Sequence, residues 1–277
     1  MASFNFHQVD VFTSRSLGGN ALAVVIAADA LTDAQMAAFA NWTNLSETTF
    51  LLRPTAAGAD YRVRIFTPHA ELPFAGHPTL GTCHVWLGLA TPKADEVIQQ
   101  CGIGLVRIRR SDDRLYFAAP PLRRSGAVED ILLERVRSGL GLAANDIVAS
   151  NWVENGPDWM GILLRSRAAV MSVKPDYSVL AGQRVGIVGA WDRDKDGAEA
   201  QFEVRAFTAG GYEDPVTGSV NAGLAQWLIG SGIAPEKYVA SQGSVLGRAG
   251  RVHVERRGSD IWVGGAVASH IQGTLTL

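Results

Sequence analysis

The sequence has 277 residues, a formal net charge of −2 and 47% hydrophobic residues. A large core is possible, and at roughly 100–200 residues per domain the default is two domains of similar size. Charged residues make up 19% with the two signs nearly balanced, so the basic excess that binds nucleic-acid phosphates is missing, and no run reaches the roughly 18 apolar residues of a membrane span.

Residues 1–10 read as the first strand of a folded domain. The apolar run 21–28 lacks the basic flank and cleavage pattern of a secretion signal. Thr32-Asp33-Ala34-Gln35 has the spacing of a capping box, followed by Met36, Phe39 and Ala40 on one face of a helix. A strand over 61–66 leads through a turn rich in Pro and Gly into an uncharged apolar helix over 78–89. Such a helix is buried on all sides. Gly102-Ile103-Gly104 lacks the third glycine and the helix of a dinucleotide site. Pro120-Pro121 places a domain boundary within 118–125. The spacing of Val128, Ile131, Leu132, Val136 and Leu140 predicts an amphipathic helix over 127–140. A second strand over 201–207 and a second uncharged helix over 220–229 complete the pattern. Cys83 and Cys101 have no metal-ligand spacing, which with two cysteines in all favours a reducing, cytoplasmic home. The arginines at 107, 109 and 110 and at 123 and 124 read as solvated strand ends.

The chain also repeats itself. Val63-Arg64-Ile65-Phe66-Thr67 lies over Val204-Arg205-Ala206-Phe207-Thr208 at an offset of 141, with four of five positions identical. Glu71-Leu72-Pro73-Phe74-Ala75-Gly76-His77 then lies over Glu213-Asp214-Pro215-Val216-Thr217-Gly218-Ser219 at 142. The second turn is therefore one residue longer. Gly81 pairs with Gly223, and Trp86-Leu87 with Trp227-Leu228. An internal duplication follows. The expected fold is α+β, with two pseudo-symmetric domains, each a mainly antiparallel sheet around a buried central helix, and a cleft between them. The expected domains are 1–118, with Glu47 and the Gly76-His77 helix start, and 119–277, with Asp214 and the Gly218-Ser219 helix start and a tail free to return to the first half.

Residues needed for architecture should recur in both copies, whereas residues that do chemistry can differ. Arg64 with Glu71 and Arg205 with Glu213 recur, and read as structural pairs. Asp214 faces Leu72. A longer-range alignment at 141 sets Glu47 over Val188. Each half would then offer one carboxylate where the other is aliphatic. Partly buried carboxylates have perturbed pKa values, which proton transfer at neutral pH needs. At the helix starts, exposed N–H groups favour an anion and glycine permits close approach. His77 and Ser219 can cap their helices or reach a ligand, with capping the plainer reading for Ser219.

Asn44-Leu45-Ser46-Glu47-Thr48-Thr49-Phe50, Arg64-Ile65-Phe66-Thr67-Pro68, Glu71-Leu72-Pro73-Phe74-Ala75-Gly76-His77-Pro78 and Glu213-Asp214-Pro215-Val216-Thr217-Gly218-Ser219 resemble the phenazine-biosynthesis-like PhzF family. Val9-Asp10-Val11-Phe12-Thr13 and Gly19-Asn20 resemble its opening, although Ala21 stands where that family usually has Pro. The resemblance spans nearly the full chain. It implies the diaminopimelate epimerase-like fold, a homodimer, and neither metal nor organic cofactor. It makes Glu47 the acid/base, assisted by Asp214 and His77, with Ser46, Gly76, Gly218 and Ser219 holding a small carboxylate substrate. The reaction it implies is isomerisation of trans-2,3-dihydro-3-hydroxyanthranilate, one carboxylate carrying the proton along one face. Related epimerases and proline racemases place a cysteine before the glycine of each helix start. Here Ala75 and Thr217 stand there, which argues against thiol-based racemisation. The alternatives are an isomerase or lyase of another small carboxylate through Glu47, or a non-catalytic small-molecule-binding protein.

Overall fold

The computed structural model describes residues 2–90 and 95–277. In chain order the elements are β1 (Ser3–Val11), β2 (Asn20–Val25), α1 (Asp33–Thr43), β3 (Glu47–Leu52), β4 (Tyr61–Phe66), β5 (Glu71–Leu72), α2 (Gly76–Leu87), β6 (Glu96–Cys101), β7 (Gly104–Ser111), β8 (Arg114–Ala118), β9 (Arg124–Gly126), α3 (Asp130–Gly139), β10 (Ile147–Glu154), β11 (Trp159–Leu164), α4 (Arg167–Ser172), β12 (Arg184–Ala190), α5 (Arg193–Asp196), β13 (Phe202–Phe207), β14 (Glu213–Asp214), α6 (Gly218–Gly230), β15 (Lys237–Gln242), β16 (Gly250–Arg257), β17 (Asp260–Gly265) and β18 (Val267–Thr276). They form two compact units, Met1–Ala118 with Gly264–Leu277, and Ala119–Val263. The tail from Gly264 thus belongs to the first unit and not to a second domain running to 277. Met1, included in the expected first strand, lies outside the described residues.

In the first unit β2 runs parallel to β3, β3 antiparallel to β4, β4 antiparallel to β5 and parallel to β6, and β6 antiparallel to β7. In the second unit β11, β12, β13, β14, β15 and β16 repeat that sequence of pairings one for one. Each sheet is mainly antiparallel with two parallel pairs. β18 closes the first unit by pairing antiparallel with β1.

Each sheet is covered on both faces, so its central strands are buried along their whole length, polar residues included. Every residue of β11 and β13 is buried, as is all of β3 after Glu47. On one face of the first unit lies α1. Thr32 caps it reciprocally with Gln35, Gln35 N donating to Thr32 Oγ1 at 3.3 Å and Thr32 N to Gln35 Oε1 at 3.0 Å. Its Met36, Phe39 and Ala40 pack with Val25, Phe50 and Phe66; each large apolar side chain so buried contributes about 1.5–3 kcal/mol. In the second unit Val136 and Leu140 of the α3 region pack with Ile162, Ile187 and Phe207. The predicted start at 127 is three residues early, because Glu129 is still extended. Of the residues expected inward, Val128, Leu132, Val136 and Leu140 lie in or against the core, whereas Ile131 is 90% exposed and Leu133 packs inward instead.

On the other face lie α2 and α6, nearly all of whose residues are buried up to Val85 and Ile229. Both begin two residues before the sequence-predicted starts. Close packing needs the paired glycines: a Cβ on Gly81 would lie 2.5 Å from Leu22 Cδ2, and one on Gly223 would lie 2.4 Å from the Val153 carbonyl oxygen. The recurring arginine–glutamate pairs close the turn before each helix. Arg64 reaches Glu71 through two bonds of 2.7 and 2.6 Å, and Arg205 reaches Glu213 at 3.0 and 2.7 Å.

Candidate functional site

In the first unit the pairing of β3 with β2 sets Glu47 beside Leu22, at the edge of the buried layer, with its side chain 16% exposed. Ser46, just before it, is partly buried. The carboxylate Oε2 lies 3.4 Å from His77 Nε2. His77 is the second residue of α2, after Gly76; Ala75, extended, occupies the cap position and makes no side-chain cap bond. His77 therefore does not cap the helix. Its ring is 4% exposed, with Nδ1 3.5 Å from the Asn20 amide nitrogen. Burial drives its pKa from 6.5 down to about 3, against the pull of a hydrogen bond to the Ala21 backbone. The imidazole is consequently neutral at ordinary pH, and its contact with Glu47 is not a salt bridge. Asn20 received no role from the sequence, although Gly19-Asn20 was among its recognisable motifs.

In the second unit Asp214 ends β14 and is buried. Thr217 Oγ1 donates to its Oδ2. Gln242 Nε2 donates to the Asp214 carbonyl at 3.2 Å and to Thr217 Oγ1 at 3.0 Å. Gln242 Oε1 in turn accepts from Thr217 N at 3.0 Å and from Asn221 Nδ2 at 2.8 Å. The carboxylate is thus held by a cross-linked polar network that ties it to the first turn of α6. Thr217 occupies the cap position of α6, again without a side-chain cap bond. Ser219, behind Gly218, is not a cap either: its Oγ accepts from Trp159 Nε1 at 2.9 Å and its carbonyl from Asn155 Nδ2 at 2.8 Å. Nothing in the sequence pattern singled out Gln242, Asn155 or Trp159, which come from distant parts of the chain, and Thr217 was noted there only as standing where related enzymes carry a cysteine.

The strand registers decide the comparison of the two copies. Ile65 pairs with Leu72 and Ala206 with Asp214, so Asp214 does stand where the first unit has Leu72. Thr48 pairs with Phe66, and Val185 with Phe207. That sets Thr48 over Val185 and Glu47 over Arg184. The alignment of Glu47 with Val188 is therefore wrong by four residues: Val188 pairs with Val204 as Leu51 pairs with Val63. Arg184 is engaged with Asp158. Glu47 thus has a cationic counterpart rather than an aliphatic one.

Neither cysteine supplies a thiolate. Cys83 is buried inside α2 and its thiol is pushed up to about 12 by burial; Cys101 is raised by burial as well. Among the described residues no cluster of three or more His, Cys, Asp or Glu is placed to hold a metal ion, and no helix is long and apolar enough to cross a membrane.

Comparison with known proteins identifies the family. The pattern of the family described as phenazine biosynthesis-like protein matches residues 9–273. Antisense-enhancing sequence 1 of Schizosaccharomyces pombe is 32% identical, with 99% of each chain covered. The trans-2,3-dihydro-3-hydroxyanthranilate isomerase of Pseudomonas aeruginosa is 32% identical over 91% of this chain and 90% of its own. The crystal structure of a PhzF-family phenazine biosynthesis protein of Enterococcus faecalis superposes with a TM-score of 0.83 at 25% identity, each chain covered in full. From the family match and the full-length likeness in both sequence and fold, the chain belongs to the phenazine biosynthesis-like PhzF family of isomerases.

Proposed function

We propose that the chain is a cofactor-independent isomerase of a small cyclic carboxylic acid, with Glu47 as its single acid/base. The observation that carries this is the Glu47 carboxylate 3.4 Å from an imidazole that burial keeps neutral. A neutral His77 can accept or donate a hydrogen bond without placing a positive charge beside the carboxylate. Glu47 would take a proton from one ring carbon, leaving the C–H electron pair in the conjugated system. The double bonds shift, and Glu47, whose carboxyl proton can exchange with solvent in between, returns a proton to a second carbon, so atoms and electrons balance with no other reactant. Asp214, fixed by Thr217, would position or electrostatically tune the reacting group. Ser46, Gly76, Gly218 and Ser219 would hold the substrate, the exposed N–H groups at each helix start suiting a carboxylate. A relative named for trans-2,3-dihydro-3-hydroxyanthranilate makes that compound the first substrate to try. A homodimer in the cytoplasm belongs to the same reading; equilibrium sedimentation tests the first part.

The test is uptake of solvent deuterium into trans-2,3-dihydro-3-hydroxyanthranilate and a panel of cyclic carboxylic acids, read by mass spectrometry. Glu47→Gln keeps shape and hydrogen bonding but cannot accept the proton. It should bind ligand while exchange falls by about 10²–10⁴-fold, the usual cost of losing a general acid/base. Asp214→Asn should slow exchange with a smaller change in fold stability. Exchange by Glu47→Gln at the wild-type rate would remove Glu47 from the chemistry.

A further inference from the structure

We infer that Trp159 is a positioning residue that makes Ser219 an obligate hydrogen-bond donor to the ligand; this rests on Ser219 being one of the ligand-holding residues proposed above. An indole N–H can only donate, whereas a hydroxyl has one proton and two lone pairs. The 2.9 Å bond from Trp159 Nε1 therefore occupies a Ser219 lone pair and turns the hydroxyl proton away from the indole. Among the described residues that proton has no acceptor. Trp159 is itself buried at the start of β11, so the donor that orients the hydroxyl is fixed by packing.

A second residue fastens the same turn. Asn155, 6% exposed, donates from Nδ2 to the Ser219 carbonyl at 2.8 Å. Its Oδ1, buried beside that turn, meets no partner among the described residues. An unmet buried acceptor is costly. It is an unfilled hydrogen-bonding position next to a hydroxyl that is itself unfilled. The hydroxyl belongs to the first turn of α6, whose cap residue Thr217 makes no side-chain cap bond. A ligand oxygen that only accepts, such as a carboxylate oxygen, suits the Ser219 hydroxyl and the N–H groups of that turn, whereas Asn155 Oδ1, itself an acceptor, calls for a donor on the same ligand.

The first unit lacks the device. Leu22 pairs with Glu47 where Trp159 pairs with Arg184, so an alkyl chain stands where the indole stands. There the second helix residue is His77 and not a hydroxyl. The oriented donor occurs only where a hydroxyl needs orienting.

Anthranilate is the probe, its binding measured by isothermal titration calorimetry on wild type, Trp159→Phe, Ser219→Ala and the double variant. Trp159→Phe keeps a ring in the core and removes the N–H. It should weaken binding about 3- to 10-fold, the size of one net hydrogen bond, and should do nothing further once Ser219 is alanine. Ser219→Thr, which keeps the hydroxyl, should bind as wild type does and stay sensitive to Trp159→Phe. Equal weakening by Trp159→Phe in the serine and alanine backgrounds is the signature of a merely structural tryptophan and overturns the inference. So does wild-type affinity in Ser219→Ala, or failure of wild type to bind anthranilate at all. If Trp159→Phe does not fold, Ser219→Thr against Ser219→Ala carries the test, and equal affinities overturn it. Deuterium exchange by Glu47→Gln judges the proton-transfer reading separately, whichever way anthranilate binding falls.

Discussion

His77 should make the protein acid-sensitive in a way that one substitution abolishes. In the unfolded chain its imidazole titrates at the ordinary 6.5, whereas in the fold burial holds it to about 3. Below 6.5 the unfolded state takes up a proton that the folded state does not. Stability is thus intact above that pH and is lost progressively as pH falls toward 3. At about 1.4 kcal/mol per pH unit the whole span is worth roughly 5 kcal/mol, and the part between pH 7 and pH 5 about 2 kcal/mol. His77→Gln cannot titrate. It will pay a constant packing penalty, but the gap between wild type and variant should close by about 2 kcal/mol from pH 7 to pH 5. Urea unfolding followed by circular dichroism at each pH supplies both curves. His84, lowered by burial and then by His7, is present in both proteins and cancels. Repeating the pair in a Glu47→Gln background removes the neighbouring carboxylate's own titration. Parallel curves in both backgrounds would refute a neutral, buried His77.

Two further outcomes follow from the packing. Gly223→Ala drives its Cβ against the Val153 backbone carbonyl, while Gly81→Ala meets side-chain methyl groups of Leu22, Val11 and Val9. Alanine gains about 1 kcal/mol of helix propensity at either site and overpacking costs about 1–3 kcal/mol. Gly223→Ala should therefore be the more destabilising in urea, since a carbonyl cannot give way as a leucine can; the reverse order would contradict it. Iodoacetamide should leave Cys83 unmodified in the folded protein by mass spectrometry, because burial keeps its thiol protonated. Alkylation of folded protein at Cys83 with matching loss of deuterium exchange would bring thiol chemistry back.

What the sequence made legible was whatever both copies share. The paired strands 63–67 and 204–208, the uncharged helices and the paired glycines recur because each unit must bury the same helix against the same strands. What it left hidden was set by insertions and by distant partners. Counting back from Phe207 by a constant offset stops four residues short, because α5 (Arg193–Asp196) lengthens the connection between β12 and β13. Strand register, which only cross-strand hydrogen bonds fix, assigns Arg184 to Glu47. Ile131 lies outside the apolar stripe because its neighbours Leu132 and Leu133, with Val136 and Leu140, form the inward face of the α3 region.

The same registers give the asymmetry at Asp214 its physical content. Arg62 pairs with Gln100 and Glu203 with Ser241, so Gln242 stands over Cys101 as Thr217 stands over Ala75 and Asp214 over Leu72. The second unit thus carries a carboxylate with its hydroxyl and its amide, and the first carries none of the three. A carboxylate is costly to bury unless hydrogen-bonded, which is why the exchange is concerted. Removing one partner of a buried hydrogen bond strands the other, whereas removing both is nearly neutral. Thr217→Ala should accordingly destabilise the protein by about 1–3 kcal/mol. Adding Asp214→Leu, so that Leu and Ala stand as they do in the first unit, should restore most of that loss without restoring deuterium exchange. Urea midpoints for the two single variants and the double variant, each paired with an exchange measurement, decide it. If the two losses of stability simply add, Thr217 does not serve Asp214. If the double variant exchanges deuterium like wild type, the carboxylate is part of the fold alone.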